Sequence, residues 1–228
     1  ESKASTEVTL DNSIDTAEIT TPSADDVIGG NQTFSGSAKD TNGVASWSLD
    51  AEHDLEPNVN IASGTSEVDG GDYVVDYDTT NLAEVDWDIV LTVTDELGNE
   101  TTTKVKPVTV DNTSATATIT NPGTSEVTNL EITFDEELAS STTSTTTVAD
   151  LIDSSVVLVN GGSASSGTDV NVTGVSWDTT NASSPVLTLT IDAHTFTTDD
   201  TIDVNFVADV VEDLAGNTTS ATNQHTVQ

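Results

Sequence analysis

The chain has 228 residues, with 40 Asp and Glu against four Lys and no Arg, for a formal net charge of −36. It contains no Cys, which excludes a disulfide framework, a thiolate metal site and a Cys nucleophile. Four Lys cannot neutralise a phosphate track, and the same charge repels an anionic membrane surface; no apolar run approaches the roughly 20 residues of a membrane span.

A compact chain of 23.6 kDa exposes on the order of 10,000 Å², which places one net charge per about 270 Å² at a spacing of about 16 Å. The Debye length is about 8 Å at 0.15 M salt and about 3 Å at 1 M. Molar salt therefore silences the repulsion and dilute buffer does not. Two readings fit such acidity: adaptation to molar salt, and a calcium-loaded surface domain whose carboxylates await divalent ions. The absence of Arg and the dispersion of Asp along the whole chain favour the first.

The chain opens on a segment with a later twin. Val8-Thr9-Leu10-Asp11-Asn12-Ser13 is answered 100 residues on by Val108-Thr109-Val110-Asp111-Asn112-Thr113. Each copy reads as a strand end, a polar turn and the entry to a new domain, so the spacing predicts an array of similar domains. Residues 1–10 are then a linker or an orphan strand, and 11–111 and 112–228 are the domains. Glu7, Val8, Thr9 and Leu10 resemble a closing strand without its own domain, which suggests donation to a neighbouring subunit.

In the first domain strands are expected at Ala17–Thr20, Gln32–Ala38, Val44–Leu49, Tyr73–Tyr77, Trp87–Thr94 and Thr101–Val110. Trp87, Ile89, Leu91 and Val93 alternate, the mark of a half-buried strand. Lys104, Lys106 and Pro107 are typical of an exposed edge. In the second domain strands are expected at Thr116–Thr120, Leu130–Phe134, Val156–Val159, Val170–Trp177, Val186–Ile191, Ile202–Val207 and Thr218–Val227. A Ser/Thr tract runs from Ser140 to Thr147, and Thr147–Ile152 is read as a short helical segment. The stretch from Glu212 to Thr219 parallels that from Asp95 to Thr102, each before the last strand of its domain. About seven short strands at regular spacing, twice, make the fold class all-β: two consecutive antiparallel β-sandwiches.

Ser35-Gly36-Ser37-Ala38-Lys39-Asp40, Asp78-Thr79-Thr80-Asn81-Leu82 and Thr92-Val93-Thr94-Asp95 with Gly98-Asn99 resemble the Ig-like repeats of bacterial and archaeal surface proteins. Ile132-Thr133-Phe134-Asp135-Glu136 and Val211-Glu212-Asp213-Leu214-Ala215-Gly216-Asn217 resemble the Ig-like domain of S-layer proteins. The resemblance covers nearly the whole chain and implies an extracytoplasmic setting. It implies little about the task, because this fold hosts many functions.

His53, His194 and His225 have no partner motif, and no phosphate loop, HExxH or G-x-S-x-G motif occurs, so the chain is read as no enzyme. No cofactor is required; calcium or another cation is the one candidate ligand. Its candidate residues are Asp95, Glu96, Asn99 and Asp111 at the joint, with Glu212 and Asp213 in the second copy. The plainer account is that these are turn residues, since Asp and Asn bond their own backbone and Gly supplies a positive φ. Asp25, Asp26, Asp76 and Asp78 are weaker candidates. Trp47, Trp87 and Trp177 suggest a carbohydrate surface, but the resemblance implies that Trp47 is the buried third-strand aromatic of an Ig-like sandwich, and Trp87 and Trp177 sit in alternating apolar strands, so all three are read as core. Six N-glycosylation sequons begin at Asn31, Asn99, Asn112, Asn171, Asn181 and Asn217.

These features predict a structural subunit of an extracellular assembly of a halophilic archaeon: S-layer-like, a stalk or a filament. Its partners are copies of itself or neighbouring Ig-like domains. The alternative is an adhesion or receptor-binding module, either a calcium-dependent adhesin repeat or a spike on a halophilic virus.

Overall fold

A computed structural model describes residues 10, 12–66, 71–160 and 169–228, with the side chain of residue 160 excepted. The chain divides into two compact units, Glu1–Asn112 and Thr113–Gln228. Glu7, Val8, Thr9 and Asp11 lie outside the described residues; Leu10 is exposed.

The first unit contains β1 (Thr16–Thr21), β2 (Val27–Ile28), β3 (Asn31–Lys39), β4 (Val44–Glu52), β5 (Val59–Gly64), β6 (Asp72–Asp78), β7 (Asp86–Asp95) and β8 (Glu100–Val110). They form two sheets, β1-β3-β6 and β2-β8-β7-β4-β5. Pairing is antiparallel except for β2, which runs parallel to the end of β8 through Val27–Thr109 and Ile28–Val110. The first strand thus contributes to one sheet and its continuation to the other, which ties the two layers of this Ig-like sandwich together.

Period-two alternation builds the core. Trp87, Ile89, Leu91 and Val93 of β7 are all buried, and Phe34 and Leu49 meet them from the opposite layer and the neighbouring strand. Trp47 of β4 stacks on Tyr73 of β6, ring centroids 5.2 Å apart at 18°, joining the two sheets. Tyr73 reaches across β3 to donate its hydroxyl to the Glu18 carbonyl at 3.2 Å. Gly36 of β3 is what permits this: a Cβ there would lie 2.0 Å from that carbonyl and 2.4 Å from the phenol oxygen. Burial, then the Glu18 charge, push the Tyr73 phenol far above its ordinary value.

The second unit contains β9 (Ala117–Ile119), β10 (Glu126–Phe134), the single-turn helices α1 (Ser140–Thr143) and α2 (Val148–Leu151), then β11 (Val156–Asn160), β12 (Val170–Asp178), β13 (Val186–Thr195), β14 (Thr201–Asp203) and β15 (His225–Thr226). The strand order is β15-β14-β11-β12-β13-β10-β9. Strand β11 turns the corner between the layers, pairing with β12 through Val156 and Val157 and with β14 from Leu158 onward. A parallel bridge from Asn223 to Thr118 brings the last segment back to β9, so both ends of this sheet meet. Phe134 lies at the centre, fully buried, with Trp177 5.6 Å and Phe206 6.0 Å away.

Three expectations need correction. The strand expected at Thr218–Val227 is regular only at His225–Thr226, and that at Ile202–Val207 only at Thr201–Asp203. The ladder there is irregular: backbone bonds from Thr222 N–H to Val204 and from Phe206 N–H to Ser220 continue through an isolated Asn205–Ala221 bridge, and the Thr222 hydroxyl accepts the Val204 N–H at 3.0 Å. The Ser/Thr tract contains α1, fixed by one buried hydroxyl. Thr142 Oγ1 donates to the Val210 carbonyl and accepts the Glu212 N–H, both at 2.9 Å. Two strands were not expected at all, the short β2 and the edge strand β5.

Candidate functional sites

The parallel between Asp95 and Glu212 onward resolves into two copies of one turn, with Asp213 rather than Glu212 equivalent to Asp95. Asp95 Oδ1 accepts the N–H groups of Leu97 (2.8 Å) and Asn99 (2.7 Å), and Oδ2 accepts Asn99 Nδ2 at 2.6 Å. Asp213 Oδ1 accepts Ala215 N–H (2.8 Å) and Asn217 N–H (2.9 Å), and Oδ2 accepts Asn217 Nδ2 at 2.9 Å. Gly98 and Gly216 occupy the same left-handed position, φ +88° and +85°, which a side chain would strain. Both carboxylates are 1% exposed. Each turn is therefore organised by its own Asp, and the aspartate oxygens already hold three N–H groups.

The structure separates the candidate cation ligands of the first unit. Asp95, Glu96 and Asn99 precede β8, whereas Asp111 follows it, its N–H bonded to the Ile28 carbonyl. Eleven extended residues place about 35 Å between those positions. They do not form one ligand set within that unit. Glu212 and Asp213 belong to the second unit's turn. Asp26 caps the Ser23 N–H, Asp76 accepts the Thr33 hydroxyl, and Asp78 caps Thr80; Asp25 sits exposed in the left-handed region. Asp78-Thr79-Thr80-Asn81 recurs as Asp178-Thr179-Thr180-Asn181 with the same Asp-to-Thr N–H bond at 3.0 Å, a second echo that the sequence carried and its reading missed.

Burial raises the Asp95 carboxyl, but the Asn99 side chain and the backbone N–H groups outweigh it and hold the group below its ordinary value. The side-chain and backbone bonds of Thr80 do the same for Asp78, and the backbone and side-chain bonds of Thr180 for Asp178. A carboxyl depressed in the folded state contributes stability that is present above about pH 4, its unfolded value, and is lost as pH falls through the folded value. In molar salt the acid limb of stability should therefore lie below pH 4, and Asp95→Asn should remove part of it. Acid titration of the circular dichroism signal checks this; an unchanged acid limb in the variant is the contrary result.

The histidines have local roles. His53 Nδ1 accepts the Leu55 and Glu56 N–H groups at 3.2 and 3.1 Å, and its ring lies 5.7 Å from Trp87. His194 packs edge-on to Phe196 at 4.6 Å, and His225 lies half-buried on β15. A polar cleft of about 520 Å³ adjoins His53. There Lys104 bonds Glu52 at 2.8 Å and Lys106 lies 3.4 Å from Asp88. The bond from Glu52 raises the Lys104 amine above its ordinary value. These lysines neutralise a face of acidic neighbours; among the described residues β2 pairs only with Thr109 and Val110, and no strand pairs with Glu100–Lys106 on the far side of β8.

Trp47 and Trp87 are core residues, and Trp177 is half-buried against Phe134. Among the sequons, Asn31, Asn171 and Asn181 are exposed. Asn99 and Asn217 hold the turns, and Asn112 is bonded to Gly30 and Thr79 through both side-chain atoms.

No helix among the described residues is long and apolar enough to cross a membrane. No family model matches the chain, and no curated protein does. Among solved structures it is similar to the fibronectin(III)-like modules of Clostridium thermocellum CbhA, at 13% identity over 92% of this chain and 90% of that chain, with a TM-score of 0.37. It is also similar to a chicken TCR, at 11% identity over 73% of this chain and 84% of that one, with a TM-score of 0.30.

Proposed function

We propose that this chain is a non-enzymatic structural subunit of an extracellular surface assembly of a halophilic archaeon, joined to copies of itself by strand addition. The observation that carries the reading is the unequal treatment of sheet edges. In the second unit the two ends of the sheet meet through Thr118 and Asn223. In the first, among the described residues, β6 pairs with β3 on one side only, along seven residues that include neither Pro nor Lys. Such an edge is a template for another strand. The donor is the Glu7–Leu10 segment of a second copy. Head-to-tail addition of that kind gives an open filament rather than a closed ring.

The acidic surface supports the halophilic setting; of the exposed sequons Asn31, Asn171 and Asn181, the Asn171 amide already donates to Asp192 at 2.9 Å, which leaves Asn31 and Asn181 as the positions that suit glycans best. The chain has no Cys, so introduced thiols report assembly cleanly. Leu10→Cys protein mixed with Val74→Cys protein, Val74 being 72% exposed on β6, should oxidise to mixed dimers at about 2 M NaCl, where repulsion is screened. Filaments should appear by electron microscopy under the same conditions. Monomers alone, or Leu10→Cys homodimers formed equally well without the second variant, would sink strand addition at β6.

A further inference from the structure

Asp40, Asp78, Asp95, Asp178 and Asp213 each accept the N–H of the residue two places on, and so organise their own turns. The loop between β4 and β5 uses a histidine for the same task. His53 Nδ1 accepts the Leu55 N–H at 3.2 Å and the Glu56 N–H at 3.1 Å. A carboxylate remains an acceptor down to about pH 4, whereas histidines change charge between about pH 5 and 8. The change of residue type therefore changes what acid does to the turn.

Nδ1 can accept those two N–H groups only while it carries no proton, which places the proton of the neutral ring on Nε2. A second proton would enter at Nδ1 and leave three donors facing one another. The latched loop and the imidazolium therefore exclude each other. Release costs little, because residues 54–58 are exposed and water takes over the freed N–H groups. The cleft beside His53 is walled by Glu52 of β4, Asp54 of the loop, Asp86 and Asp88 of β7, and Lys104 and Lys106 of β8. Glu56 adds a carboxylate within the loop itself. The carboxylates favour an imidazolium and the two ammonium groups oppose it, but Lys104 bonds Glu52 at 2.8 Å and Lys106 lies 3.4 Å from Asp88. The Trp87 ring, 5.7 Å from the imidazole, also attracts a cation.

We propose that the β4–β5 loop is an acid-released latch, closed by neutral His53 and opened when His53 takes up its second proton. The sign follows from the bonds, which are present while the ring is neutral and are lost as pH falls. The segment set free carries Leu55, 88% exposed in the middle of the loop. The sandwich behind it rests on aspartate turns and buried apolar strands, which hold to lower pH. An interval of pH results in which the loop is open and the first unit is folded. The latch is independent of strand addition at β6, which lies in the other sheet.

The test is amide hydrogen exchange by nuclear magnetic resonance on the intact chain in molar NaCl, from pH 8 to pH 5, with the His53 ring protons followed alongside. Protection of the Leu55 and Glu56 amides, corrected for the intrinsic pH dependence of exchange, should fall about tenfold with the midpoint of the His53 titration, as loss of one net hydrogen bond per N–H implies. The Leu91 and Val93 amides of β7 should stay protected throughout, which shows the unit folded. His53→Asn places an amide oxygen where Nδ1 stands and does not titrate, so its loop should remain protected down to pH 5. His53→Ala should leave both amides unprotected already at pH 8. Parent protection that persists through the His53 titration overturns the proposal. So does a His53→Asn loop that opens over the same range, or a parent loop no better protected at pH 8 than that of His53→Ala.

Discussion

Raising NaCl from about 0.01 M to about 1 M is expected to raise the melting temperature by about 10–20 °C. The accessible surface is 12010 Å² for a net charge of −36, which spaces charges by about 18 Å. At that spacing two charges repel by about 0.2 kcal/mol in water without salt. Each charge has several such neighbours, and the Debye length of about 30 Å at 0.01 M screens few of them; about 3 Å at 1 M screens nearly all. The expanded unfolded chain keeps part of this repulsion, so the folded state is relieved by about 5 kcal/mol, at about 2–4 °C per kcal/mol for a chain of this size. Thermal melts followed by circular dichroism across an NaCl series check this. KCl should act equally, because the effect is screening. A flat melting temperature would count against the halophilic reading. Stabilisation by millimolar CaCl₂ at matched ionic strength would favour a bound cation instead.

Asp213→Ala should unfold the second unit more readily by about 3–5 kcal/mol, because three donors around a buried carboxylate lose their acceptor at once. The carboxylate is 1% exposed, and its bonds to Ala215, Asn217 and the Asn217 amide are 2.8–2.9 Å. Asn217→Ala removes the two bonds donated by the side-chain amide, to Asp213 and to the Thr113 carbonyl at 3.3 Å, leaves the backbone bond in place, and should cost less. The double variant should cost less than the two combined, since the residues share one network. Denaturant titration in molar NaCl measures all three. The same experiment separates the two accounts of these acids. If Asp213 acts through its turn, EDTA leaves the loss unchanged. If it acts through a cation, EDTA brings the parent protein down to the variant.

Much of this architecture was legible because it rests on alternation. Trp87, Ile89, Leu91 and Val93 announce a buried face, and Trp47 was assigned to the core by its strand. What the residues could not announce depends on contacts distant in sequence. Thr142 looks like any other member of a Ser/Thr tract until Val210 and Glu212 arrive beside it. Strand β5 gives a weak signal, with only Ile61 fully in the core, and among the described residues it pairs on one side alone. Gly36 falls within the strand expected at Gln32–Ala38 and Gly64 outside every expected strand, and neither announces that an aromatic passes too close for a Cβ. Asp95 and Asp213 stand out in the sequence by their Gly-Asn neighbours, but the placement of Asp95 and Asp111 at opposite ends of β8 follows from an eleven-residue strand that their sequence context does not announce.

The parallel contacts of the first and last segments have a mechanical meaning. In the first unit Val27 and Ile28 run alongside Thr109 and Val110, held by bonds from Asp25 N–H to Pro107, Thr109 N–H to Asp26 and Asp111 N–H to Ile28. In the second, Thr118 and Asn223 are bridged in the same sense. Strands that run parallel and are pulled from opposite ends slide past one another, so tension along the chain loads these bonds together in shear. An antiparallel pair pulled from one end would open them singly, like a zipper. Both units therefore place their shear-loaded clamp where a load passing along the polypeptide first arrives.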